Sequence, residues 1–322
     1  MEMALVEPFM IKTSLGVGPD TAVELEARSG ESLLVKDVIV SDSDDDYCVL
    51  EIDKTTVGFF RVDGHGLGSH IGSSVAYTST DWHLRGIKAG GSITLLSYII
   101  QKGWMRGYPV AEGQIFRVKP YTTGKKLNNV IIIYEKYDAG DIKATDDNGS
   151  ESKRYLFVNY GRPSINYTSS GDYEIEKCVT TEEFPDFPFG ESVPSKSTIE
   201  ILGILGSEVI DYDASDTYTY TKYIKMFKGR TCLFDKDKKG LPFYAYPFSG
   251  ISAGTYVGRG FSVIGNYSLK DRREPFVLPS PVVFKEGEEV KVYVTVGQAT
   301  NTGSIGVKFG ELAFIERVTV EE

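Results

Sequence analysis

The two halves of this chain run through the same order of events roughly 170 to 180 residues apart. An apolar, branched run ends at Val40 and meets the acidic loop Ser41–Asp46; another ends at Ile210 and meets Asp211–Asp216. Glu112-Gly113 opens the alternating run Ile115–Val118, and Glu286-Gly287 opens Val290–Val296. Thr123-Gly124 and Thr302-Gly303 mark a turn in each half. Each half then closes on an apolar run ending in an acid and a base, Glu135-Lys136 and Glu316-Arg317. The spacing drifts along the chain as small loop insertions would make it drift. A repeat of this length, built of short apolar runs and turns, predicts two copies of one β module.

A chain of 322 residues has room for two domains, each able to bury a core without disulfides or metal. Its 20 Tyr and 17 Phe favour strands and aromatic packing. The net charge of −10 disfavours a grip on nucleic acid, which needs a clustered basic face. The densest basic stretches, Lys236–Lys239 and Lys270–Arg273, are short and mixed with acids, so no direct nucleic-acid contact is expected. Cys48, Cys178 and Cys232 are odd in number and form no C-x-x-C pair, which argues against a disulfide scaffold. Residues 1–13 carry Glu2 and Glu7 and lack a basic region followed by an apolar core, so no secretory signal peptide is expected. No apolar run reaches membrane-spanning length.

The pattern divides the chain into a first β-sandwich module with an N-terminal arm, 1–138, a connector, 139–196, and a second β-sandwich module, 197–322. The fold class is all-β, two tandem jelly-roll or β-sandwich modules with one short helix in the first. That helix follows Gly90-Gly91: Ser92 serves as its cap, Ile93, Leu96, Ile99 and Ile100 recur at helical spacing, and Gly103 ends it. The four branched residues Val130–Ile133 suit a strand covered on both faces. In the connector, Arg154–Tyr160 reads as a strand. It is followed by the run Phe184-Pro185-Asp186-Phe187-Pro188-Phe189-Gly190, which proline keeps out of a central ladder. Phe184, Phe187 and Phe189 need cover, either as a wedge between the modules or against a neighbouring subunit. In the second module Tyr218, Tyr220, Lys222, Ile224 and Met226 alternate with polar residues as a strand. The long stretch Asp235–Pro281, with Phe243, Tyr244, Tyr246 and Phe248, reads as an interaction loop.

Few residues suggest chemistry. His65, His70 and His83 cluster in the first half, but their spacing matches no zinc signature and the second half has no histidine, so no metal site is assigned. Asp42, Asp44, Asp45 and Asp46, and Asp211, Asp213 and Asp216, offer calcium-type oxygen ligands, although acidic turns are more commonly solvated. The loop Asp235–Gly240 begins like a calcium loop but has Tyr246 where the closing glutamate belongs. No nucleotide-binding glycine loop and no nucleophile elbow is present. Glu112 and Glu286 suit a turn before a strand better than an acid and base pair. No catalytic residue and no cofactor are assigned, and the chain is read as a non-enzyme. Trp82 and Trp104, either side of the helix, are candidate stacking platforms or core anchors.

The paired runs Val35–Val62 with Ile204–Phe234, and Ile115–Glu135 with Val290–Glu316, together with the helix near 92–102, resemble the double jelly-roll major capsid proteins of icosahedral DNA viruses. The resemblance is architectural and carries no site residues. It implies a structural coat subunit that self-assembles, as a homotrimer with a six-fold outline or larger, with other virion proteins as partners and the virion as location. Phe184–Phe189 and Phe243–Phe248 are then the candidate subunit contacts. The alternative is a tandem β-sandwich recognition protein, a glycan- or receptor-binding spike or a surface-layer protein, using Trp82, Trp104 or the tyrosine loops.

Overall fold

The computed structural model describes residues 5–45, 47–62, 94–143, 153–162, 171–179, 184–206, 212–213, 217–234, 240–242, 276–299 and 312–321. In the first half, β1 (Leu5–Leu15), β3 (Glu31–Ser43), β6 (Tyr108–Val110) and β8 (Leu127–Asp138) form an antiparallel sheet in the order β1-β8-β3-β6. β2 (Val23–Glu26), β4 (Tyr47–Ile52), β5 (Thr55–Arg61) and β7 (Ile115–Pro120) form a second, in the order β2-β7-β4-β5.

The second half reproduces both sheets. β9 (Lys153–Arg162), β12 (Ser197–Gly206), β17 (Phe276–Lys285) and β19 (Leu312–Val320) take the order β9-β19-β12-β17, with β11 (Glu176–Lys177) added outside β9. β10 (Gly171–Glu174), β18 (Val290–Ala299) and β14 (Thr217–Lys228) follow one another in the other sheet, and the short β13 (Tyr212–Asp213), β15 (Thr231–Cys232) and β16 (Leu241–Pro242) pair with β14. In each half the first and third strands share a sheet with the last, and the second shares the other sheet with the next to last. That is the weave of a jelly roll. The segment 139–196 supplies β9, β10 and β11 to these two sheets.

Alternation explains the strands. Val23 and Leu25 of β2 and Phe116 and Val118 of β7 point into the first core, with Glu24, Glu26 and Arg117 outward. On β8, Val130 and Ile132 are buried while Ile131 and Ile133 are only half-buried, so one face of this strand is core and the other is incompletely covered. β3 changes register between Val35 and Asp37, a bulge that keeps both Val35 and Val38 in the core. β12 changes register at the same place, between Ile201 and Gly203.

The likeness reaches single hydrogen bonds. Ala27 N–H donates to Gln114 O and Val193 N–H to Glu288 O, both at 3.0 Å. Gly113 N–H returns to Ala27 O at 2.7 Å, and Gly287 N–H to Val193 O at 3.0 Å. Both glycines sit at positive φ, +81° and +75°, a region closed to most side chains. Glu112 Oε1 accepts from Gly30 N–H at 2.8 Å, and Glu286 Oε2 accepts from Lys196 N–H at the same distance. These two glutamates pin the residue before β3 and before β12, and the bonds from Lys196 and Ser195 hold the Glu286 carboxyl below its ordinary value.

One expected correspondence is out of register. Glu135 lies opposite Leu34, whereas Glu316 lies opposite Ile201, the counterpart of Val35. Tyr134 therefore matches Glu316, and Glu135 matches Arg317. A shift of one residue reverses the face, so Glu316 points inward while Glu135 stays near solvent. The helix also differs in its start. α1 (Leu95–Gln101) is capped by Thr94, whose Oγ1 accepts from Ser97 N–H at 3.0 Å; the expected cap, Ser92, lies outside the described residues. Gly103, at φ +71°, follows its end as expected. Leu95, Leu96, Tyr98 and Ile99 are buried, and Thr94 Oγ1 donates to Asp37 of β3.

Candidate functional site

A single buried cluster runs through both halves, and the seam between them is aromatic. Tyr47 of β4 and Phe59 of β5 turn away from their own sandwich and meet Tyr160 of β9, with ring centroids 5.4 and 6.1 Å apart. Arg61 N–H donates to the Tyr160 hydroxyl at 3.2 Å, and the Arg61 guanidinium lies 5.6 Å from the Tyr47 ring. Phe184 sits between Phe59, at 4.4 Å, and Phe157, at 4.1 Å. It is the wedge between modules that the sequence offered as one way of covering this run. Trp104 is half-buried, 6.2 Å edge-on to Tyr98, and its ring borders Gly203 of β12.

The rest of the Phe/Pro run enters the second sandwich. Phe187 is buried against Phe284 at 4.8 Å, and Phe189 packs on Phe314 at 5.9 Å and on Gly161, where any Cβ would collide with it. Phe184 and Phe187 are buried within their own chain, and Phe189 keeps partial exposure. Asn159 Nδ2 donates to Phe187 O at 2.8 Å and to Glu316 Oε2 at 2.9 Å. Lys177 Nζ donates to Pro185 O at 3.1 Å and pairs with Asp186 at 2.7 Å. Burial pushes the Glu316 carboxyl well above the ordinary range, opposed by the Asn159 amide and Lys177. Glu316 Oε1 and Asn159 Oδ1 are buried with no hydrogen-bond partner among the described residues.

The acidic loop of the first half holds backbone. Asp45 accepts from Thr122 N–H at 2.6 Å and from the Thr122 hydroxyl at 3.1 Å, and Asp44 accepts from Lys126 N–H at 2.6 Å. Asp20 accepts from Gly124 N–H at 2.7 Å, so three carboxylates fasten the turn between β7 and β8. Among the described residues no group of three or more His, Cys, Asp or Glu is placed to hold a metal. His65, His70, His83, Trp82, Phe243, Tyr244, Tyr246, Phe248, Asp46, Asp211, Asp216 and the loop 235–239 lie outside the described residues. No helix among the described residues is long and apolar enough to cross a membrane.

Among the described residues, two surfaces stand out that the sequence did not single out. The first is β1, an edge strand whose Phe9, Ile11 and Leu15 are 62, 50 and 74% exposed. The second is a groove of about 840 Å³ between the edge strands β1 and β2, lined by Met10, Lys12, Ser14, Val23, Leu25 and Tyr134 among others. The sequence signal for it was negative: the first half has no counterpart of the Phe184–Phe189 run.

No protein-family model matches the chain, and no curated protein matches it in sequence. Among solved structures it is similar to a peptide-N(4)-(N-acetyl-β-D-glucosaminyl) asparagine amidase, with TM-score 0.33 and 12% identity over 98% of this chain and 97% of that one. It is similar to a chain of Sulfolobus turreted icosahedral virus, with TM-score 0.32 and 9% identity over 98% and 91% of the two chains. It is similar to a Paenibacillus xanthan lyase, with TM-score 0.18 and 10% identity over 99% of this chain and 25% of that one. Superpositions this loose do not bear on role, and the fold stands on its own strand order.

Proposed function

We propose that this chain is a structural coat subunit of a virion, built to self-assemble with copies of itself and with other virion proteins. The observation that carries the reading is the pair of jelly rolls with one strand order, fused through an aromatic seam into a single body. Three such chains around an axis present six similar modules, an outline that tiles a closed shell from one kind of subunit. The exposed apolar residues of β1 supply a reason to associate. An eleven-residue edge strand carrying Phe9, Ile11 and Leu15 in water is an aggregation hazard that a neighbouring subunit removes.

Light scattering on the purified protein, followed by electron microscopy, tests the proposal. The expected result is a trimer or larger assembly that Ile11→Lys loosens. A monomer at high protein concentration, unchanged by that substitution and forming no particles, overturns it.

A further inference from the structure

We infer that the open groove between β1 and β2 of the first module is a docking site for an extended, phenylalanine- and proline-bearing segment of another polypeptide. The template is inside this chain. In the first module the strand opposite β7 runs without interruption, Val23 facing Val118 and Glu26 facing Ile115. In the second module the matching strand is cut open. Ile175 N–H donates to Val292 O at 3.0 Å, and the next residue to face this strand is Ser192, bridged to Glu289. Gly113 and Gly287 fix the correspondence, so Val292 matches Val118 and Glu289 matches Ile115. Between the matching positions the first module has only Glu24-Leu25 in its sequence, whereas the second has the longer stretch 176–191.

That detour closes the second sandwich. Glu176 and Lys177 pair with Arg162 and Gly161 on the outer edge of β9, and Phe187 and Phe189 then fill the space behind it. The β9 and β19 residues around this plug are Phe157, Asn159, Gly161 and Glu316. Through the shared bulge their counterparts are Met10, Lys12, Ser14 and Tyr134, four residues that line the groove. Among the described residues the first module thus has the socket without the plug. Its volume of about 840 Å³ lies in the range of ordinary binding clefts.

The chemistry of the occupant follows from the socket. β1 is the outer strand of its sheet and offers the edge that β9 gives to β11, so an incoming segment adds as a strand. Behind that edge the groove has Met10, Val23, Leu25 and Tyr134 for aromatic side chains. Lys12 replaces Asn159, which donates to the plug's Phe187 carbonyl; it is exposed and makes no ion pair among the described residues, so it is available to a carbonyl or acidic group. A second copy of this chain does not supply the same plug, because Phe184 is already buried at the seam and Phe187 inside the second module. The inference does not depend on the coat-subunit reading, since it concerns one groove in one chain.

The test is calorimetric titration of the full chain with a synthetic peptide of sequence 176–191, its cysteine replaced by serine. Saturable one-to-one binding is expected, weakened about tenfold or more by Lys12→Glu at the exposed rim and by the groove-filling Ser14→Tyr. A control peptide with its phenylalanines changed to serine is expected not to bind. A peptide that merely exchanged into the second module would bind both variants as well as the parent, and that result overturns the inference. So does the absence of saturation at about 1 mM peptide. If instead Ser14→Tyr dissolves an oligomer of this chain while the peptide fails to bind, the groove belongs to a second copy and the inference is also overturned.

Discussion

Asn159 donates its side-chain amide to Glu316 at 2.9 Å inside the second sandwich, and the carboxyl it serves is wholly buried. Burial favours the protonated acid there, so the folded state holds its proton to a higher pH than the unfolded chain does. Folding stability must then fall as pH rises from the ordinary carboxylate range towards the raised folded value, by at most about 1.4 kcal/mol per pH unit from this group. Glu316→Gln keeps the shape and removes the ionisation. Urea unfolding between pH 5 and 8 is expected to show the variant gaining on the parent as pH rises. Parallel curves for the two proteins would place the pH dependence elsewhere.

Gly113 and Gly287 occupy the same turn in their two modules, each at positive φ with open space where a side chain would go. Replacing either by alanine adds backbone strain and little else. Each substitution is expected to cost about 1 kcal/mol. The informative quantity is their similarity in chemical denaturation, and a cost present at one site and missing at the other would break the equivalence of the two turns.

The two Glu-Gly turns were legible in the sequence: Glu-Gly before β7 and before β18 has one conformational use in both halves. The one-residue slip at Glu135 and Glu316 was not legible, because acid-base order along a strand says nothing about which face each residue takes. Only the bulge beyond Val35 and Ile201 fixes that register, and bulges leave no mark in a run of branched residues. Phe184 and Phe187 were visible as residues needing cover, and composition alone left two covers open. The groove escaped notice because it is made by a segment present in one half and missing from the other. The sequence reads the N-terminal residues as an arm, whereas Met10, Lys12 and Ser14 are positioned by pairing with a strand more than a hundred residues away.

Phe59 and Phe184 lie 4.4 Å apart across the seam between modules. If that contact couples the halves, Phe59→Ala and Phe184→Ala are not independent. Each alone is expected to cost about 3 to 5 kcal/mol as a buried aromatic truncated to alanine. The double variant is expected to cost less than the sum by about 0.5 to 1.5 kcal/mol. Calorimetry supplies the second readout: the parent should unfold in one transition, and the double variant should begin to separate into two.

Asp37 and Thr94 tie β3 to the start of α1, and both roles of the threonine pass through one oxygen. Its hydroxyl donates to Asp37 Oδ1 while accepting from Ser97 N–H. Burial raises the Asp37 carboxyl to about 7, despite the bonds from Thr94 and the Val38 N–H. Like Glu316, Asp37 therefore lowers stability as pH rises above the ordinary aspartate value, but its effect ends near pH 7. Thr94→Val removes the cap and the donor together and is expected to cost about 1 to 2 kcal/mol. Asp37→Asn is expected to flatten the stability curve between about pH 4 and 7 and leave its slope above pH 7 unchanged. A slope altered only above pH 7 would mean that Asp37 is not the group titrating there.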